Sequence, residues 1–180
     1  MTCNPSLVAP GNSSTCVAVA TDPAYVYVPG SIKLANGAAS SSCRDDTSEQ
    51  GKCDLSGINS DVTVGASFKL REFNLTQYPT SGGLVSCSPN VVQYGSSSTC
   101  RAVPDTGYSY TPDSLRKRSG KADISCSGAT CTLSNVRSNV IMQASFTPDK
   151  YSVTDATPTG AGGTMDLSSA TQVTGKTGHG

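Results

Sequence analysis

One stretch of this chain occurs twice, and the repetition constrains the fold more than any other feature of the sequence. Residues 3–19 read CNPSLVAPGNSSTCVAV, and residues 87–103 read CSPNVVQYGSSSTCRAV. Ten positions are identical at a fixed offset of 84 (87 − 3). A fixed offset over so many positions indicates an internal repeat, so the chain is predicted to contain two copies of one small module.

The repeat continues beyond this stretch with smaller offsets. Tyr25 and Tyr27 correspond to Tyr108 and Tyr110 at an offset of 83, and Val62–Phe68 corresponds to Val140–Phe146 at an offset of 78. The first copy is therefore six residues longer (84 − 78), mostly between Cys43 and Cys53. Insertions between matched strands are accommodated in loops, so we interpret this segment as a polar loop.

These correspondences divide the chain into four parts. Residues 1–69 form a first repeat module that lacks its opening strand, and residues 70–149 form a complete second module. Residues 150–166 correspond to the opening strand of a further repeat or to a donor strand. Residues 167–180 carry no pattern and are expected to form a flexible tail.

Composition limits the functions that these modules can have. Lys and Arg number 13, Asp and Glu also number 13, and only 36% of residues are hydrophobic, with no Trp. A balanced charge provides no basic field for nucleic acid or for an anionic membrane. No apolar run is long enough to insert into a membrane, so neither partner is expected for this segment.

The eight cysteines are predicted to form disulfides within each copy. Four cysteines allow three pairings, and we choose those that close hairpin arms or tight turns. The predicted pairs are Cys3–Cys16, Cys43–Cys53, Cys87–Cys100 and Cys126–Cys131. Disulfides indicate an oxidising compartment, so the protein is expected outside the cell or on its surface, with any export signal outside this sequence.

Several segments have the alternation of a β-strand. Tyr25–Val28, Phe73–Thr76 and Tyr151–Thr154 are rich in aromatic and β-branched residues. Val62–Phe68 is predicted as one period-2 strand whose alternate residues, ending with Phe68, face the core. Residues 31–42 are the least patterned, with a short helix over 32–35 as one reading.

The second copy has the motif order of a known family. Gly82, Gly83, Val85, Cys87, Ser88, Pro89, Tyr94, Gly95, Cys100, Ala102, Pro104, Gly107, Tyr108, Leu133, Ala144 and Phe146 carry the match. This order resembles the divergent internalin-B-type repeat of bacterial surface proteins. The resemblance implies mainly β, β-grasp-like modules, each stapled by disulfides, without catalysis. The Trp-Ser-Gly that often follows the Gly-Tyr strand in this family has no Trp here.

Few residues qualify as a ligand site. Arg116, Lys117, Arg118 and Lys121 form the one basic cluster and are candidates for binding a polyanionic glycan, although an exposed loop is the simpler interpretation. Asp45, Asp46 and Glu49 lack the spacing of a calcium loop, so we predict no metal site and no cofactor. No Ser lies beside a recognisable base, and we predict no enzymatic activity.

The leading hypothesis is a structural or adhesive surface protein, used as a stalk module or as a filament subunit. Tyr151, Val153 and Thr154 match Phe73, Leu75 and Thr76 at an offset of 78. They are predicted to complete another copy head to tail, since a missing strand leaves an edge that strand addition satisfies. Two alternatives stay open: neighbouring repeats of a longer chain, and a surface module that binds glycan or a host protein.

Overall fold

The computed structural model describes residues 1–153, and all regular structure within this range is β-strand. The mainly β fold predicted from the sequence is therefore confirmed. Residues 1–153 contain no helix, so the β-grasp likeness, which would require one, is not confirmed. No helix long and apolar enough to span a membrane occurs in this part of the chain.

Eighteen strands follow one another through the described residues. The first eight are β1 Thr2–Asn4, β2 Asn12–Val19, β3 Tyr25–Tyr27, β4 Lys33–Asn36, β5 Ser40–Thr47, β6 Gln50–Ile58, β7 Thr63–Gly65 and β8 Phe68–Leu70. The others are β9 Glu72–Gln77, β10 Gly83–Ser88, β11 Val91–Gln93, β12 Ser98–Pro104, β13 Tyr108–Tyr110, β14 Arg116–Ser119, β15 Asp123–Ser127, β16 Thr130–Ser134, β17 Val140–Gln143 and β18 Phe146–Pro148.

The chain divides into two compact units. Unit 1 comprises Met1–Phe73 with Gln93–Gly95, and unit 2 comprises Asn74–Val92 with the described residues from Ser96 onward. Each unit contains a four-stranded sheet of the same order, β1-β2-β6-β5 in unit 1 and β10-β12-β16-β15 in unit 2. Two small strand pairs also recur, because β3-β8 corresponds to β13-β18 and β4-β7 corresponds to β14-β17.

The four disulfides join the pairs chosen from the sequence, and each links adjacent antiparallel strands. In unit 1 the partners lie directly opposite each other, Cys3 opposite Cys16 and Cys43 opposite Cys53. Cys16 also lies opposite Cys53, so the four cysteines form one lateral row across the sheet. Unit 2 has the same row, which consists of Cys87, Cys100, Cys131 and Cys126.

The core of unit 1 is small and centred on the middle of this row. Cys16 and Cys53 are buried with Leu55, Tyr27 and Val64. The Tyr27 hydroxyl stays satisfied because it donates to Asp45 and accepts from the Ile32 amide, at 2.8 and 3.3 Å. The buried half-cystines Cys16 and Cys53 thus take the place of apolar side chains that a core of this size would otherwise need.

One ionic cluster lies beside the cysteine row of unit 1. Asp54 accepts hydrogen bonds from Arg44 Nη1 and Thr15 Oγ1, both at 2.8 Å. The hydrogen bond from Arg44, and then that from Thr15, lowers the pKa of Asp54 to about 2. The cluster joins three strands of the sheet through one carboxylate.

Three local predictions are wrong. Residues 43–53 are not a loop but the β5–β6 hairpin, and residues 33–36 form β4 instead of a helix. The single strand predicted over Val62–Phe68 is broken, because β7 pairs with β4 whereas β8 pairs with β3. Phe68 therefore leaves the core face and is 37% exposed.

Candidate functional site

Strand β9 completes the second small sheet of unit 2. It lies between β11 and β17 in the order β11-β9-β17-β14. β9 runs parallel to β17, with Leu75 opposite Val140. The Leu75 amide donates to the Asn90 carbonyl at 2.8 Å, and the Asn74 amide donates to Asn139 Oδ1 at 2.9 Å. Both edges of β9 are thus engaged.

Burial in unit 2 depends on this strand. Leu75 is 5% exposed, and the strand opposite it contributes Val140 and Met142, both fully buried. The Asn90 carbonyl accepts the hydrogen bond from the Leu75 amide, and Val92, two residues further on, is 4% exposed. β9 therefore supplies side chains to the core as well as hydrogen bonds to the sheet.

The part of unit 1 that the structure describes has no strand in the corresponding place. Within residues 1–153, β7 pairs only with β4, so its other edge has no strand partner. Val62 and Val8, the counterparts of the buried Val140 and Val92, are only half-buried. Among the described residues, the β4-β7 pair of unit 1 therefore lacks counterparts of two strands, β9 and β11, and β9 is the one that would lie directly beside β7.

A cleft of about 400 Å³ lies along this edge of β7. Its apolar lining includes Val8, Leu55, Ile58, Val62 and Val64. Their repeat counterparts in unit 2 are all buried, and they are Val92, Leu133, Val136, Val140 and Met142. We call this cleft of unit 1 the strand groove.

One hydrogen bond that holds the wall of the strand groove has a counterpart in unit 2. The Ser14 hydroxyl donates to the Pro5 carbonyl at 2.7 Å, and the Ser98 hydroxyl donates to the Pro89 carbonyl at 2.7 Å. This hydrogen bond fixes the loop that begins at residue 5 and carries Val8. The groove is therefore built by repeated sequence and does not result from a disordered loop.

The predicted contact strand lies only partly within the described residues. Tyr151 and Val153 are in no strand and are each 73% exposed. Thr154, and the remaining residues assigned to the donor strand and tail, lie outside the described residues. Two large apolar side chains, two residues apart in the sequence, are thus exposed to solvent.

The basic cluster does not form one open patch. Residues 116–118 lie in β14, not in the expected loop, because their backbone pairs with β17. The Lys117 ammonium donates to the Ala122 carbonyl. The Arg118 guanidinium lies 3.9 Å from the centre of the Tyr78 ring and donates to Gln143. Arg116 and Lys121 are exposed.

The acidic residues of the β5–β6 hairpin are also engaged in structural contacts. Asp45 accepts from the Tyr27 hydroxyl and the Gly30 amide, both at 2.8 Å. Glu49 accepts from Arg71, and this hydrogen bond lowers the pKa of Glu49. No group of three acidic, His or Cys side chains suited to a metal ion is found among residues 1–153.

The sequence predicted donor side chains at Tyr151 and Val153, but it did not predict the groove in unit 1. The sequence does contain information on the groove, because subtracting the repeat offset from the residue numbers of the neighbours of Leu75 gives residues that line it. Val140 maps to Val62 (140 − 78), and Val92 maps to Val8 (92 − 84). Recognising those neighbours requires the pairing of β9 with β17, which local periodicity does not reveal.

The fold and the groove define a disulfide-stapled, all-β repeat module. Residues 73–150 match the family model described as a divergent InlB B-repeat domain, which confirms the resemblance found in the sequence. The match begins at Phe73, so β9 is part of the family's unit. No curated protein and no solved structure matches the chain.

Proposed function

We propose that this protein is a non-enzymatic structural module of the bacterial cell exterior whose copies join head to tail by strand complementation. Tyr151–Thr154 of one copy enters the strand groove of the next. The observation that carries this proposal is the difference between the units, since β9 fills in unit 2 the place that is open in unit 1. The family is a repeat domain, and disulfides suit an oxidising exterior.

The repeat specifies the register of the contact. Applying the offset of 78 to the pair Val140–Leu75 places Val153 opposite Val62 (140 − 78 and 75 + 78). Applying the same offset to the hydrogen bond between the Asn74 amide and Asn139 Oδ1 gives a hydrogen bond from the Ser152 amide to the Asp61 carboxylate (74 + 78 and 139 − 78). The incoming strand is therefore parallel to β7.

The incoming strand would satisfy both kinds of group that the groove exposes. Its backbone pairs with the free edge of β7, and edge pairing supplies most of the affinity in strand addition. Val153 takes the place of Leu75, and Tyr151 takes that of Phe73. Full burial of an aliphatic or aromatic side chain is worth about 1.5–3 kcal/mol, so these two anchors contribute several kcal/mol together.

The donor segment follows unit 2 in the sequence, whereas the strand groove belongs to unit 1. A contact of this kind is heterologous, and one that does not close into a ring extends into a filament. Filament length would then depend on protein concentration. Neighbouring repeats within a longer chain would use the same contact without a free end.

The first test compares assembly of the native chain with that of a donor variant. Tyr151→Ser with Val153→Ser removes both anchors, and light scattering with electron microscopy should find monomers instead of filaments. Ser152→Ala is the matched control, since Ser152 lies between the anchors and points to the other face of a strand. Assembly that survives the donor variant, or a native chain that stays monomeric at high concentration, overturns the proposal.

A groove variant makes the test directional. Val8→Lys places a charge in the groove while leaving the donor segment intact. Neither variant should assemble alone, but an equimolar mixture has one intact donor and one intact groove. We expect a one-to-one heterodimer, and a mixture that remains monomeric contradicts head-to-tail exchange.

Surface binding is the second candidate function. The exposed Arg116 and Lys121 side chains favour a polyanionic glycan as its ligand. A glycan-binding assay with a double Ala variant of these two residues separates this activity from assembly. Loss of glycan retention with normal filaments would assign both functions to the chain.

A further inference from the structure

A second exposed surface of unit 1 lies at β3 and β8. Tyr25 is 41% exposed and Phe68 is 37% exposed, and they line a depression of about 230 Å³ together with Met1 and Val19. Their counterparts in unit 2, Tyr108 and Phe146, are half-buried and therefore less exposed. We call the unit 1 surface the aromatic seat.

Two glycines lie against the equivalent surface of unit 2. A Cβ atom on Gly82 would come within 2.4 Å of Tyr108 Cδ1, and one on Gly83 would come within 2.7 Å of the Phe146 ring. Gly82 also has a φ of +79°, a conformation that favours glycine. The fit against Tyr108 and Phe146 therefore excludes any side chain at these two positions.

The sheet edge next to the aromatic seat differs between the two units. In unit 2, β10 pairs with the end of β12, with Gly83 opposite Pro104 and Leu84 opposite Val103. In unit 1, β1 pairs with residues 15–17 of β2, and within residues 1–153 the strand partner of Val19 is Gln50 on the β6 side.

The chain contains the Gly-Gly pair a second time, at Gly162-Gly163. This pair follows Tyr151 by 11 residues (162 − 151), and Gly82 follows Phe73 by nine (82 − 73). The two additional residues fall in the part that corresponds to the loop between β9 and β10. The donor segment thus carries counterparts both of the β9 side chains and of the Gly82-Gly83 pair.

We propose that the aromatic seat is the second half of the subunit contact, and that Gly162-Gly163 of a second copy lies across Tyr25 and Phe68. The proposal rests on the head-to-tail function above. It makes recognition bipartite: the strand groove selects two large side chains, and the aromatic seat selects two residues without side chains.

Bipartite recognition explains how a short strand can bind specifically. Each site alone offers a limited contact, but two sites on one linker bind with an effective concentration that raises the total affinity. A segment that has suitable apolar residues but lacks the glycine pair would clash at the aromatic seat. Clashes of this kind are a common source of discrimination between partners.

The test uses the full chain with Gly162→Val and Gly163→Val together. Gly160→Val is the matched control, because it adds the same side chain to the same tail outside the pair. Forcing side chains into a packed contact should raise the protein concentration needed for half-maximal assembly by about tenfold or more. The control should assemble like the native chain.

The donor variant at Tyr151 and Val153 separates the two proposals. If that variant loses assembly while the glycine variant assembles normally, the aromatic seat is wrong and strand exchange stands. If both assemble normally, both proposals fail. If the glycine variant and its control lose assembly equally, the effect comes from tail composition, which also refutes the aromatic seat.

Discussion

Leu75→Ala tests whether the strand position that is open in unit 1 is essential in unit 2. Leu75 is 5% exposed and lies opposite the fully buried Val140. Truncating a buried leucine to alanine costs about 2–5 kcal/mol, because apolar contacts are lost and a cavity remains. We expect the loss to be confined to unit 2.

Hydrogen exchange with mass spectrometry measures this loss region by region. A loss of 2 kcal/mol speeds exchange from opened states about 30-fold, since 1.4 kcal/mol is a factor of ten. Peptides covering β16 and β17 should show this acceleration, whereas peptides from β2 and β6 of unit 1 serve as the internal control. The amides of these four strands are protected from exchange in the native chain by the hydrogen bonds between paired strands.

Val153→Ala is the matched variant at the repeat-equivalent position. Val153 is 73% exposed, so below the assembly concentration its truncation should change stability by no more than about 0.5 kcal/mol. Above that concentration it should speed exchange in β7. If Leu75→Ala leaves β17 exchange unchanged, β9 is not needed by the core, and the argument for the groove fails.

Three further results are expected. Non-reducing peptide mapping should find no Cys16–Cys53 bridge. Such a bridge would leave the two outer cysteines of the row as free thiols about 14 Å apart, and finding those free thiols would refute the row pairing. Asp54→Asn should lower the urea midpoint of unit 1 at pH 7. The difference in midpoint between native and variant chains should shrink as pH falls from 3.8 to about 2, because a carboxylate with a lowered pKa stabilises the fold only while it is ionised. A difference in midpoint that is unchanged at pH 2 contradicts this. Among residues 1–149, limited digestion with a protease of broad specificity should cut first within Leu70–Glu72, and dominant cleavage within residues 80–87 would move the boundary.

Reduction of the disulfides provides a related expectation about stability. The sequence separations within the bridges are 13, 10, 13 and 5 residues. On the chain-entropy model, loops this short stabilise by about 2–3 kcal/mol each. Because each core is small, reduction should lower the urea midpoint of both units, and an unchanged midpoint would show that the cores suffice alone.

Local sequence patterns predicted some strands correctly and failed where pairing partners decide the structure. The alternation in Tyr25–Tyr27 and Phe73–Thr76 was sufficient, since both segments are half-buried strands. The run ending at Phe68 has one unbroken alternation, yet it divides between two partner strands. Nothing local in the run marks that division.

The hairpin over residues 43–53 shows a second limit. β5 is the outer strand of its sheet, and most of its residues are exposed, so it has no apolar period. Its polar composition is that of a loop, whereas its backbone pairs with β6 through most of its length. An edge strand of this kind is visible only through its partner.

The groove could be located only after the two copies were compared in three dimensions. Repeat offsets led from the sequence to the predicted donor residues, because Tyr151 and Val153 match Phe73 and Leu75. The acceptor residues are scattered along the chain, from Val8 to Val64, and are brought together by the parallel strand position beside β7. Parallel neighbours are distant in sequence, so their contacts are the hardest to infer.

Photocrosslinking from position 151 tests the subunit contact most directly. Tyr151 is replaced by benzoylphenylalanine, and isotopically light and heavy chains are mixed, assembled and irradiated. The account predicts crosslinks between light and heavy chains, with attachment at groove residues such as Val8, Ile58 or Val62. Crosslinks confined to single chains, or attached outside the strand groove, would contradict head-to-tail strand complementation.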